Sequence, residues 1–244
     1  MKVTGVMVGF LDVPAHEEAE FNRWYDLDHA PEICAVDGVI DAFRYHAGDA
    51  LMRYRPQGLE NAPPIGQARY CTVYLLGGED LGAVSARIKK ASDGLREQGR
   101  SLQHGKTVYA TVQRLVHAYA SPRVKLAGDA LPYTGHQALQ VAMGHATSRD
   151  NIAAAAEWWH ASQYPAMLSV PGWAAALRCE PLGEEGQGKF MHLFLLDSAA
   201  AAAHQELEAA IKGRLAGTTR TPAYQRIFSG PFTRITPSRY DFLA

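Results

Sequence analysis

Residues 23 to 32 read RWYDLDHAPE, and this stretch sets a tyrosine, an aspartate and a histidine close together ahead of a proline. Tyr25 and His29 are four apart, so a helix puts them on one face, and Asp26 lies three before His29 on a neighbouring line. An imidazole exchanges protons near neutral pH, and a phenol or carboxylate beside it can fix its tautomer. His29, Tyr25 and Asp26 are therefore the candidate catalytic residues, and proton transfer is the chemistry they suit. The competing reading makes Trp24 and Tyr25 core, leaves Asp26 and Asp28 solvated, and has His29 fasten a helix that Pro31 ends.

Other residues suit binding rather than reaction. Arg44, in GVIDAFRYH, could hold a carboxylate or enolate through paired hydrogen bonds, or simply bridge to a neighbouring strand. His192 alternates with Phe190 and Phe194, which makes it the pocket candidate of the second half, and Tyr70, Tyr74 and Trp159 are expected to line or pack. The 10 histidines show no HxH, HExxH or HxxxH spacing on one element, so no metal site is expected. An axial haem ligand would have to be His192, His117 or His145, and no motif isolates one. GGEDLG at 77 to 82 lacks the Lys-Ser/Thr ending of a phosphate loop, so no cofactor is expected.

The elements that carry these residues occur twice. GQARYCTVYLLG at 66 to 77 aligns without a gap on GQGKFMHLFLLD at 186 to 197, and WYDLDHAPEICAVDGVIDAFRY from Trp24 aligns on WWHASQYPAMLSVPGWAAALRC from Trp158. Trp24, Pro31, Gly38 and Arg44 thereby meet Trp158, Pro165, Gly172 and Arg178, while Tyr25, Asp26 and His29 meet Trp159, His160 and Gln163. Shared residues serve a common scaffold; the acid/base group is confined to the first half. Alternating strands and amphipathic helices give the order β-α-β-β-α-β in each half, the ferredoxin-like arrangement. The expected fold is α+β: two tandem ferredoxin-like units, residues 1–119 and 135–244 with a linker at 120–134, whose antiparallel sheets face each other as an α/β barrel. In the β3-type strands the aliphatic set is expected to meet the helices, and Tyr70, Tyr74, Phe190, His192 and Phe194 to face a ligand-sized interior between the sheets.

Composition narrows the partners. With 24 basic against 25 acidic residues there is no bulk field for nucleic acid or an anionic membrane. Three scattered cysteines make no disulfide framework, and MKVTGVMVGFLDVP is too short and too alternating for a signal peptide, so a cytoplasmic location is expected.

WYDLDHAPEICAVDGVIDAFRY resembles the first helix and second strand of the dimeric α/β-barrel superfamily, EthD-like members in particular, with their Trp-Tyr pair, acid, His-x-Pro and Arg-Tyr. Asp37-Gly38 stands where Pro-Gly is usual, and the second half has no His-x-Pro. The resemblance implies one barrel built within one chain and a pocket near His29; a homodimer remains open. The superfamily spans cofactor-free monooxygenases, cyclases, decarboxylases, dehydratases, isomerases and haem enzymes, so fold does not settle activity. The expected function is a cofactor-independent lyase, dehydratase, decarboxylase or cyclase acting on a small aromatic or polyketide-like molecule. His29 would move the proton, Tyr25 or Asp26 orient it, and Arg44 or His192 stabilise charge on oxygen. A cofactor-free EthD-like monooxygenase is the close competitor, and a non-enzymatic small-molecule binder is the other class.

Overall fold

The alternating stretch VTGVMVGFLD forms β1 (Val3–Asp12). Its Val6, Val8 and Phe10 are buried on one face, and Met7, Gly9 and Leu11 turn to the other. The computed structural model describes residues 2–56, 64–101, 105–213 and 221–236. After β1 come α1 (Glu18–Trp24), a π turn (Tyr25–His29), α2 (Ala30–Cys34), β2 (Val39–His46), the short α3 (Asp49–Met52), β3 (Tyr70–Gly77), α4 (Leu81–Glu97) and β4 (Lys106–Ala120). The order then repeats: β5 (Ala138–Ala146), α5 (Ile152–Trp158), a π turn (Trp159–Gln163), α6 (Tyr164–Leu168), β6 (Trp173–Pro181), β7 (Lys189–Leu196), α7 (Ala200–Lys212) and β8 (Tyr224–Arg234).

The strands close into one ring, β1-β3-β2-β8-β5-β7-β6-β4, with every neighbour antiparallel. Each half supplies a four-stranded sheet, and the edge strands that would otherwise expose unpaired backbone bond to each other. The two seams differ. β4 meets β6 over seven residue pairs, whereas β2 meets β8 only through Tyr45↔Arg234 and His46↔Thr233.

The barrel interior corrects the expected assignment of faces. Cys71, Val73 and Leu75 of β3 lie inside with Val6, Val8, Phe10, Leu139, Val141 and Leu193, all buried. Tyr70 and Tyr74 instead point outward to α1 and the π turn, packing with Phe21 and Tyr25. His192 likewise faces the helices of its own half, against Trp159 and Tyr164. An eight-stranded barrel is filled by side chains of this aliphatic size. Tyr70, Tyr74 and His192 take the space beneath the helices, where hydroxyl and imidazole find partners.

Pro31 does not end its helix. The turn before it widens so that Ala30 N–H bonds to Tyr25 O, five residues back, and the helix runs on to Cys34. Proline has no N–H for the usual i−4 carbonyl and its ring crowds that oxygen; a π turn absorbs both defects. The same happens before Pro165, where Tyr164 N–H bonds to Trp159 O. Both π turns thus place a ring, Tyr25 or Trp159, on the sheet.

Gly38 leads β2 at φ 97°, and a Cβ there would stand 2.6 Å from Val84 Cγ2. Gly172, at φ 86°, does the same before β6, with Ser198 Oγ 2.3 Å from that Cβ position. Gly38→Ala is expected to cost about 1–3 kcal/mol from backbone strain alone, read as a lower urea midpoint. Gly94→Ala in α4 is the control: nothing lies within 4 Å of its Cβ position, and helix propensity predicts a small gain.

No helix among the described residues is long and apolar enough to cross a membrane.

Candidate functional site

The helix from Glu18 to Cys34 lies across the outer face of the first sheet, and residues 18, 22, 25, 26, 29 and 33 of it meet β1, β2 and β3. Towards its C-terminal end a cavity of about 260 Å³ opens between this helix, α4, β1 and β4. Trp24, Tyr25, His29 and Ile33 form one wall, Tyr74 and the outward face of β1 the floor, and Ile88 and Leu95 of α4 the far side. Arg96, Arg100 and Ser101 supply the polar rim. Arg100 bonds Asp28 through both Nε (3.2 Å) and Nη2 (2.9 Å) and reaches Glu32 at 2.7 Å, tying the rim to the site helix.

His29 reaches the cavity with its ring held by aromatic contacts rather than hydrogen bonds. It stacks on Trp24 (4.9 Å, 23°) and meets Tyr25 edge-on (5.0 Å, 72°). Burial lowers its pKa to about 4, Asp28 opposing and Arg44 adding to the effect, so at neutral pH it is an unprotonated base. The expected orientation of His29 by Tyr25 or Asp26 is not what the structure has. Tyr25 OH pairs with Tyr74 OH at 3.1 Å, and Asp26 is taken by Arg44 at 2.5 Å. One of the two phenols donates to the other, and Thr72 is a second hydrogen-bond partner of the Tyr25 hydroxyl. Burial raises the pKa of both, so they remain proton donors.

Arg44 does not line the cavity; it stands behind it. Its guanidinium carbon sits 4.3 Å over the Tyr25 ring, one nitrogen bonds Asp26, and the other bonds Asn22 Oδ1 at 2.7 Å. Asn22 donates to Tyr70 OH at 3.0 Å, and Tyr70 adjoins Glu18. Glu18 is 8% exposed, its carboxyl raised by burial above the ordinary range, and it lies 4.0 Å from His46. This chain of groups beneath the helix was missed in the sequence apart from Arg44, Asp26 and Tyr70. The signal was present: Glu18, Asn22, Tyr25, Asp26 and His29 recur at helical spacing, while Glu18, Asn22 and Asp26 become Ile152, Ala156 and His160 at the equivalent places.

Trp159 and His192 belong elsewhere. β3 and β7 are four places apart in the eight-strand ring, so the second-half residues lie across the barrel from His29. His192 is fully buried, stacked on Trp159 at 3.6 Å, with Tyr164 OH 2.6 Å from its Nδ1. Among the described residues no three His, Cys, Asp or Glu side chains gather as a metal site.

No protein-family model matches the chain, and no curated protein matches it. Solved structures do. An anthrone oxidase-like protein superposes with a TM-score of 0.53 at 14% identity, covering 96% of this chain and 92% of its own. A protein from Fusobacterium nucleatum named "putative monooxygenase" gives 0.52 at 11% identity, covering 96% and 94%. The fold is that of the dimeric α/β barrels. At such identities the likeness extends to the fold and no further.

Proposed function

We propose that the first half is a proton-transfer enzyme for a small apolar, aromatic or polyketide-like molecule with an acidic C–H next to a carbonyl. The observation that carries this is the neutral His29 at the cavity, alongside the protonated Tyr25–Tyr74 pair. His29 takes the proton from carbon, and the Tyr25–Tyr74 hydroxyl donates a hydrogen bond to the enolate oxygen that develops. Arg44, through the Tyr25 ring, favours charge on that side. Met7, Leu11, Ile33, Ile88 and Leu95 supply an apolar enclosure suited to a few fused rings. Neither step needs a cofactor. The enolate then eliminates or cyclises, as a lyase, dehydratase or cyclase requires; in a decarboxylase, loss of carbon dioxide forms the same enolate, which is then protonated at carbon. The names of the superposed structures favour a second reading, in which the same enolate reacts with molecular oxygen as in a cofactor-free monooxygenase. The unlike halves are read as a tandem duplication, units 1–119 and 135–244, in which only the first kept Tyr25, Asp26 and His29.

The test uses anthrone and α-tetralone as C–H acids, following deuterium exchange at carbon by NMR, with oxygen uptake recorded in parallel. Wild-type protein is expected to catalyse exchange, and His29→Ala to lose about 10²–10⁴-fold while keeping its circular dichroism spectrum. Because the base is already unprotonated, the rate is expected to stay flat from pH 8 to about 6, through the range in which an ordinary imidazole would begin to protonate. Exchange with oxygen uptake selects the monooxygenase; exchange without it selects the lyase or cyclase. A folded His29→Ala protein exchanging at the wild-type rate removes His29 as the base and with it the proposal, and wild-type protein that gives no exchange above buffer leaves a binding protein.

A further inference from the structure

Beneath the π turn of the second half, five buried polar atoms have no hydrogen-bond partner among the described residues: Trp159 Nε1, Arg178 Nε, His192 Nε2, Tyr224 OH and Arg226 Nε. They belong to one place. Arg178 and His192 are direct cross-strand neighbours on β6 and β7, and Arg226 of β8 pairs with Gly144 of β5. The Tyr224 hydroxyl lies over that glycine, 2.3 Å from where a Cβ would be, and its ring meets both Trp159 (5.5 Å) and His192 (6.3 Å). The Trp159 indole N–H is beside Tyr224 OH without reaching hydrogen-bond geometry. Ala142 and Gly144, the small residues of β5 on this face, let the Tyr224 ring lie down on the sheet between the two arginine-bearing strands.

We infer that this cluster is a binding site for a small oxyanion, a carboxylate or an inorganic oxyanion, distinct from the cavity at His29. A buried donor left unpaired costs about 1–3 kcal/mol, so five in one place call for an acceptor. Tyr164 stays protonated, and where its hydroxyl donates to His192 Nδ1 the hydrogen of the neutral imidazole is on Nε2. Every group except the Tyr224 hydroxyl then offers only N–H. A water molecule must place two hydrogens of its own, and one acceptor is too few; an oxyanion has lone pairs alone and two guanidiniums to balance its charge. Arg178 and Arg226 are both only partly buried, so the site is reached from solvent along them, with Glu180 bonded to Arg178 as the group an incoming anion competes with. Among the described residues the first half has no equivalent cluster: the places of Trp159 and His192 hold Tyr25, paired with Tyr74, and Thr72.

The test is a titration of 15N-labelled protein with acetate and, separately, with phosphate, at constant ionic strength against chloride. The chain has 4 tryptophans, and Trp159→Phe assigns the Trp159 indole N–H signal. The expected result is a saturable downfield shift of that signal with acetate or phosphate and not with chloride. Its midpoint should rise at least tenfold in Arg226→Met and in His192→Phe, one charge-assisted hydrogen bond being worth about that factor. The better of the two anions names the source class. Arg226 is at the margin of the site, so its variant serves if His192→Phe does not fold. No saturable shift with either anion, an equal shift with chloride, or an unchanged midpoint in the folded variants would overturn the inference. None of these readouts depends on activity at His29.

Discussion

Between pH 6.5 and about 4 the protein is expected to lose most of its stability and unfold cooperatively, taking up close to one proton for each of five buried histidines. Burial is the largest cause in every case; it lowers His29, His46, His136 and His204 to about 4 and His192 further. In the unfolded chain these groups titrate near 6.5, so in that window the unfolded state binds more protons than the native state. Stability therefore rises with pH through the window and is lost on acidification. Each proton contributes about 1.4 kcal/mol per pH unit, so five give at most roughly 7 kcal/mol per unit, against a total stability of about 5–15 kcal/mol. Glu18 acts in the opposite sense, since its raised carboxyl loses stability as pH climbs above its unfolded value, but it is one group against five. The checks are urea midpoints from pH 7.5 to 4.5 and the proton uptake on unfolding at pH 5. A urea midpoint that stays level over that range would show that the histidines open to solvent without unfolding.

The same buried histidines show how far the sequence could be read. Strands and helices were legible because burial imposes periods of 2 and 3.6, and the ungapped match of Trp24 and Gly38 to Trp158 and Gly172 set the order of elements. The face of each strand was not legible. CTVYLL alternates two apolar sets, and choosing between them needs the width of the barrel, which depends on all eight strands at once. His29 and Tyr25 were legible as a pair on one helix face, and the cavity holds both. That Asp26 would turn to Arg44 and not to His29 was beyond the sequence, because the π turn shifts the residues after Tyr25 relative to a regular helix. Proline at 31 was the clue, though it reads more readily as a helix end than as the cause of a widened turn.

Replacing Arg44 is expected to be the most destabilising single change at the site, at about 3–5 kcal/mol. Its side chain is 2% exposed and Asp26 15%, so Arg44→Met leaves a carboxylate with little water and no cation. Asn22 Oδ1 loses its donor as well, and Tyr25 the charge over its ring. Asp26→Asn alone should cost less, since an amide oxygen can still accept from Arg44, and the double variant should recover part of the Arg44→Met loss because no charge is then stranded. The second half supplies the comparison. Arg178 occupies the equivalent place but is 16% exposed and bonded to Glu180, itself 36% exposed, so Arg178→Met should cost no more than about 1–2 kcal/mol. Urea unfolding of the four proteins measures this order, and near-ultraviolet circular dichroism reports whether the Tyr25–Tyr74 pair is kept. If Arg44→Met and Arg178→Met cost the same, Arg44 is a scaffold residue common to both halves, and the polarisation of Tyr25 loses its support. If the costs separate as expected while the Asp26 double variant recovers stability, the ion pair is what fixes the tyrosine pair against the sheet. The geometry of the donor that faces His29 then follows from the half-specific residues Asn22 and Asp26 acting on an arginine present in both halves.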